Sequence, residues 1–447
     1  MSSKRSRETG GSAADGQKKP KAAPEMMSYA GYCLPRNDEP IQRRAVSSLT
    51  PAQFFAEFVS ARKPVVLTGA AELDPEWHGS ARWSNDYLQK VAGDATVRVE
   101  RRAAASEAYG RGQNVRMKFG ELLQLLQAGD ARHYMTTQDL EADEEGRPAL
   151  MSAPCTQLYA AGDFPLIPAL VGSLLPMNYN MWLGNTLPSE GGSSSGLHHD
   201  FHDNIYVLLR GRKRFRLFSP AHAPVLYTVG KVSQVHPNGR ICYEGAPANA
   251  DGSDPDAVAA MRAEMQRESA ERDLKAAEAA VAAGETGASD RLRAAEDALE
   301  AAIEAGLDAE LGIGDGTGDE DEADEGAMKM WGADWNGEEL DEEEEDEAGD
   351  EDEAGTEQQL HSGEEESLEQ PEATPNNFSN IDLNEEKWRE KWPLAKTAAM
   401  TEVDIEAGEM LWLPAGWFHE VTSMATAAGA ETDAGEVGHL AFNYWFH

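Results

Sequence analysis

The sequence predicts a mainly β domain with flanking helices, split by a long acidic insertion that is partly helical and partly disordered. Three observations carry this. Short β-branched or alternating runs bounded by Gly and Pro recur in two stretches, 41–249 and 377–447, and neither alone holds enough strands to close a core. Between them, 250–376 is far longer than an ordinary connection within a domain. That segment also shifts composition abruptly, from rich in Ala, Glu and Arg to almost purely acidic.

In chain order, residues 1–40 have too few large apolar side chains to bury anything and are expected to be a disordered basic tail. Lys4-Arg5 and Lys18-Lys19-Pro20-Lys21 have the form of a two-part nuclear localisation signal, and a solvated basic tail explains them equally well. Folding begins near Ala45. Leu49-Thr50-Pro51 reads as a helix start, followed by Phe54, Phe55, Phe58 and Val59 at helical spacing. Lys63 to Gly69 is a β-branched run stopped by Gly, and Ala95 to Glu100 alternates as a half-buried strand does. Met117 to Gln127 predicts a short amphipathic helix, and His133 to Thr137 and Tyr179 to Trp182 predict strands. Gly196 to Ser219 is strand-like with a turn at Gly211, and Thr401 to Trp445 is again strand, turn, strand. Asp254 to Ala305 favours one or two exposed helices broken near Gly284 and Gly287.

The 447 residues carry a formal charge of −41, and Leu311 to Gln370 alone contributes −25, with 26 Asp and Glu against a single Lys. Such a polyanion repels nucleic acid and membrane surfaces and attracts basic proteins. Cys33, Cys155 and Cys242 are widely separated, with no CxxC spacing, so neither a disulfide framework nor a zinc knuckle is suggested. No apolar run reaches the roughly 20 residues a bilayer crossing needs, and the start of the chain is unlike a signal peptide. A soluble protein of the nucleus, the cytoplasm or both is expected.

The chemistry-bearing stretch is Ser195-Gly-Leu-His198-His199-Asp200-Phe-His202-Asp-Asn204. Residues two apart on a strand share a face, so His198 and Asp200 can offer an imidazole and a carboxylate to one ion. The third ligand must come from a distant strand, and the apolar run, Pro turn and aromatic pair that end in His419 offer one. Two His and one carboxylate leave octahedral Fe(II) three open positions. His199 has the opposite parity and is expected to be structural or solvent-exposed, while His202 is expected to line the pocket wall. Lys213, on the partner strand beyond the turn, is flanked by Phe215 and Leu217 at even spacing, so its ammonium faces the core. A buried Lys needs an anion there, supplied by a ligand or by a core acid. Arg212, Arg214 and Arg216 alternate with these residues and are expected to form an outward basic strip that meets either the acidic insertion or an acidic substrate.

Taken together, His198-x-Asp200, Asn204, Lys213, Leu413-Pro414 to His419 and Asn443-Tyr-Trp445 resemble the JmjC-domain oxygenases, in particular their small hydroxylase-like, cupin-type branch. The resemblance spans roughly Ala45 to Pro247 plus Asn377 to His447. It implies a double-stranded β-helix, or jelly roll, that uses Fe(II) and 2-oxoglutarate. By that resemblance His198, Asp200 and His419 hold the metal, and Lys213 binds the distal carboxylate of 2-oxoglutarate. Tyr134 and Ser195 supply hydroxyls to that carboxylate, and Asn204, Asn443 and Trp445 line the co-substrate pocket. The implied reaction couples decarboxylation of 2-oxoglutarate to hydroxylation of a C–H bond, with no separate acid or base. The insertion departs from the family pattern, although loop closure cost grows only logarithmically with length. The chain ends two residues after Trp445, without the C-terminal helices through which some relatives dimerise, so a monomer is expected.

The leading expectation is a hydroxylase acting on a protein side chain. A tRNA-base hydroxylase would use the same core with salt-sensitive RNA binding, which the acidic tract disfavours. A histone lysine demethylase is a third reading, with no reader module visible in the sequence. A non-catalytic binding scaffold is the fourth, and the intact ligand set argues against it.

Overall fold

The structure, a computed structural model, describes residues 29–104, 112–140, 149–186, 192–310, 374–424 and 438–447. Both N-terminal basic clusters and the Leu311 to Gln370 acidic tract lie outside the described residues. Strands β1 (Arg43–Ala45), β2 (Val65–Thr68), β3 (Thr96–Arg101), β4 (Gln113–Lys118), β5 (His133–Met135) and β6 (Pro176–Gly184) come first. They are followed by β7 (Ser193–Ser194), β8 (His198–His199), β9 (Asp203–Arg210), β10 (Arg212–Phe218), β11 (Val232–Val235) and β12 (Ile241–Tyr243). After the insertion come β13 (Met400–Glu406), β14 (Glu409–Leu413), β15 (Phe418–Met424) and β16 (His439–Phe446). Nine strands form one sheet in the order β1-β2-β14-β9-β16-β6-β5-β3-β4. The facing sheet runs β13-β10-β15-β7, with β8 beside β15.

Strands from the far side of the insertion interleave with those before it: β14 lies between β2 and β9, and β16 between β9 and β6. This is why neither half closes a core alone. The inner faces meet through Tyr206, Leu208, Phe215, Leu217, Ile405 and Leu411. The outer face of the large sheet buries Phe442 and Tyr444 under Trp77, Trp83 and Phe164, and Trp412 under Phe54. Hence β16 is buried along almost its whole length, because both of its faces are covered. Each such fully buried side chain contributes about 2–3 kcal/mol.

Several expectations shift. β9 and β10 flank Gly211 but do not pair with each other; β9 bonds β14 and β16, while β10 bonds β13 and β15. Gly211, at φ +86, turns the chain from one sheet into the other, so the strand carrying Lys213 is not a hairpin partner of the preceding one. The predicted helix from Met117 starts at Phe119, since Met117 and Lys118 complete β4 by pairing with Val97 and Thr96. Thr50 caps the first helix in a capping box with Gln53, and from Phe55 to Val59 the helix is π-wound.

The described part of the insertion is a helical hairpin, Pro255–Ala282 and Ala288–Glu310. Gly284 and Gly287 both take positive φ in the turn, and Gly306 near the end of the second helix lies against Ala263 near the start of the first, so the pair is antiparallel. Ala263, Ala270 and Ala277 recur every seven residues and are buried, as do Ala288, Ala295 and Ala302, which lets the two helices approach closely. Among the described residues, no helix is long and apolar enough to cross a membrane.

Candidate metal centre

His198 and His419 are direct cross-strand neighbours in the β8–β15 pairing, although 221 positions apart in sequence. Their ring centroids lie 4.3 Å apart, and Asp200 Oδ2 is 3.7 Å from His419 Nε2. Ligand atoms of His198, Asp200 and His419 all fall within 4.8 Å of one another. β8 ends at His199, so Asp200 reaches the group from just beyond the strand, where its carbonyl accepts the Gly416 N–H. His198 Nδ1 lies 3.0 Å from Gly196 O, and His419 Nδ1 lies 3.0 Å from Trp417 O. A carbonyl only accepts, so both Nδ1 atoms carry the proton and both Nε2 lone pairs are left for a cation. Burial, then the neighbouring His198, hold His419 down to about 4, so it is neutral at physiological pH, as a metal ligand must be.

The ring of Phe378, from the chain just after the insertion, stacks on His198 at 4.9 Å and fixes its plane. Asn377 brackets the same point: its side-chain amide donates to His199 O, and its own carbonyl accepts the His199 N–H. His199 points the other way and is fully buried, with Nε2 2.6 Å from the Tyr243 hydroxyl. Burial holds it neutral, down to about 3. The structural expectation for His199 stands and the solvent-exposed one falls.

Lys213 is 1% exposed, and its ammonium donates to Ser423 Oγ at 2.6 Å, the residue directly opposite it on β15. The Tyr134 ring lies 5.8 Å from the same nitrogen. No carboxylate pairs with Lys213 among the described residues, and burial alone pushes it down to about 7. The hydroxyl that Lys213 meets is that of Ser423. The Ser195 hydroxyl donates to Gly196 O and accepts the Val421 N–H, which ties it to the β15 backbone. Asn443 donates to Asn204 Oδ1 at 3.1 Å and accepts the Asn180 N–H, making a row of amides across β6, β16 and β9. Asn180 Nδ2 and Trp445 Nε1 are buried with no partner among the described residues. Trp445 meets Trp182 and the ring of His202.

The basic strip is not free. Arg212 pairs with Asp404, Arg214 with Glu402 and Asp404, and Arg216 with Glu420. An acid on β13 stands opposite each arginine in register, and Glu420 on β15 stands opposite Arg216, so among the described residues the strip is ion-paired within the sheet.

Sequence reasoning missed Ser423, Phe378 and His439. Ser423 lies four residues after His419 and shares its parity, and His439 shares the parity of Asn443 and Trp445, so both were within reach of strand alternation. Phe378 carried no such signal, because it reaches His198 through one isolated bridge.

A family profile described as a cupin-like domain matches residues 51–447. The Schizosaccharomyces pombe protein named JmjC domain-containing protein 4 is 33% identical over 463 residues, covering 95% of this chain and 88% of its own. A human protein named bifunctional peptidase and (3S)-lysyl hydroxylase is 25% identical across 40% of this chain and 54% of its own length. The human tRNA wybutosine-synthesizing protein 5 is 27% identical across 41% of this chain and 57% of its own.

Proposed function

This chain belongs to the cupin-like JmjC family, and on that premise we propose that it is an Fe(II)- and 2-oxoglutarate-dependent oxygenase that hydroxylates a protein side chain. The observation that carries the reading is the cross-strand pair His198 and His419 with Asp200 beside it, each imidazole oriented through Nδ1 so that Nε2 faces a common point. Two neutral imidazoles and one carboxylate suit Fe(II) and leave coordination positions for a co-substrate. Bound there, the metal would supply oxygen activation coupled to conversion of 2-oxoglutarate to succinate and CO₂, with one oxygen atom going to a substrate C–H bond.

The chain's own residues bind, orient and exclude water. Lys213 supplies a buried cation whose missing counter-ion matches the distal carboxylate of 2-oxoglutarate, and Ser423 and Tyr134 fix the ammonium in place. Asn204 and Asn443 hold each other across two strands and present polar edges to the pocket. Trp182, Trp445 and His202 wall it against solvent. No proton-transferring residue is assigned.

A protein substrate is favoured over RNA by the arginine strip, whose charges are spent on Asp404, Glu402 and Glu420. The charge of the acidic insertion further suits a basic protein partner. The test is succinate release by purified protein given Fe(II), ascorbate and 2-oxoglutarate, with a mass-spectrometric search for a one-oxygen gain in extract peptides and in nucleosides. Succinate that survives in a His198→Ala, Asp200→Ala double variant would overturn the site. A gain confined to nucleosides would overturn the substrate class.

A further inference from the structure

Beyond Lys213 the pocket holds a second nitrogen base that the fold leaves unsatisfied. His439 opens β16, is 1% exposed, and has no hydrogen-bond partner at either ring nitrogen among the described residues. Its surroundings are built around it. The ring lies 5.7 Å from that of Tyr134, whose face is also met by Lys213 Nζ. Gly184 forms the floor: a Cβ there would come within 2.5 Å of the Tyr134 ring and 3.1 Å of His439 Cε1, so an absent side chain lets both rings stand together. Gly211, two residues before Lys213, abuts the His439 backbone in the same way, with a Cβ there meeting His439 Cβ at 2.9 Å.

The chamber is cationic, and its charges are not equally occupied. Arg102 donates to Ser193 Oγ and Ala131 O, and Arg210 donates to Asn85 Oδ1 and Trp83 O. Lys213 has a single hydroxyl, and His439 has nothing. Burial first, then Lys213, Arg102 and Arg210, hold His439 well below the usual imidazole range, so the ring is neutral and carries one N–H. A buried donor without an acceptor is costly, and its natural complement beside an unpaired ammonium is a carboxylate, which accepts on both oxygens.

We propose that His439 donates its ring N–H to the distal carboxylate of the bound 2-oxo acid, beside Lys213, and thereby sets selectivity for a dicarboxylate over a monocarboxylate. This rests on the oxygenase reading above and adds to it a binding residue on β16. The full-length protein is loaded with zinc, which does not turn over, and titrated calorimetrically with 2-oxoglutarate and with 2-oxovalerate. The latter has the same chain length and keto-acid end but a methyl in place of the second carboxylate.

His439→Phe keeps a ring against Tyr134 and is expected to weaken 2-oxoglutarate binding by about 10- to 100-fold, the worth of one charge-assisted hydrogen bond, with 2-oxovalerate unchanged. His439→Gln, which restores an N–H, is expected to recover part of the loss. Wild-type preference for 2-oxoglutarate retained in the Phe variant, or equal weakening of both ligands, overturns the proposal. Wild-type protein that does not distinguish the two ligands overturns the oxygenase reading and this one with it. Should the Phe variant fail to fold, ¹⁵N-labelled histidine in the wild-type protein reads the ring directly. A His439 nitrogen resonance that moves with 2-oxoglutarate and not with 2-oxovalerate is then required, and its absence is fatal.

Discussion

Replacing Lys213 by Met should make the unliganded protein more stable, against the usual outcome for a core substitution. Lys213 is buried with no carboxylate partner among the described residues, and burial takes it from 10.5 to about 7. At roughly 1.36 kcal/mol per pH unit, that fall costs the folded state about 5 kcal/mol at pH values well below 7. The sign follows from proton counting. Between pH 7 and 10.5 the unfolded chain keeps a proton the folded chain has lost, so wild-type stability rises with pH through that window and the penalty is gone above it. Met keeps the volume of the side chain. It strips Ser423 of its contact with the ammonium, a loss of about 1 kcal/mol. The variant should therefore gain about 3–4 kcal/mol over wild type near pH 6.5, and the gain should shrink by about 3 kcal/mol by pH 9.5. Paired urea unfolding curves at pH 6.5, 8 and 9.5 measure this. Added 2-oxoglutarate, which raises the wild-type midpoint by mass action, should leave the variant's midpoint unmoved. A variant no more stable than wild type at pH 6.5, or an advantage equal at both pH extremes, would refute the argument that an unpaired buried charge sits at this position.

Tyr243→Phe removes the hydroxyl 2.6 Å from His199 Nε2 and leaves a fully buried ring nitrogen unpartnered; a loss of about 1–3 kcal/mol is expected in chemical denaturation. Asp203 accepts from both terminal nitrogens of Arg62 and from the Ala415 N–H, so it pins the Pro414 turn that leads to His419. Asp203→Ala should cost about 3–5 kcal/mol and weaken zinc affinity measured by competition with a chelator; retention of wild-type affinity would remove Asp203 from the support of the site. Gly211→Ala places a Cβ against His439 at a positive φ, and should lower stability by at least about 1–2 kcal/mol; an unchanged melting temperature would contradict the tight inter-sheet turn.

Strand parity made much of the site legible. His198 and Lys213 were readable as inward-facing because alternation on a buried sheet is strict, whereas Asp200 joins them from just beyond its strand, and the Pro turn before His419 marked a strand end beside aromatic cover. Other features depended on pairing. Alternation says which face a residue takes, but not which strand lies alongside, so the contact of Ser423 with Lys213, made through the β10–β15 register, was not foreseen. The same limit made β9 and β10 look like neighbours, since a one-residue Gly link is read as a hairpin whether or not the two strands share a sheet. The arginine strip was legible as outward-facing but not as neutralised, because its acids arrive from β13 and β15, on the far side of the insertion.

By itself the sequence determined the class of architecture, the interruption of one domain by an acidic insertion, and the residue types able to hold a metal. Those follow from local periodicity and composition, which act over a few residues. Only the tertiary structure decided that β8 and β15 are adjacent, that Phe378 closes over His198, and that Lys213 and His439 share a chamber with, among the described residues, no acid in contact with either. These depend on hydrogen-bond register between strands some 200 residues apart, and register is chosen by how both sheets bury their inner faces together.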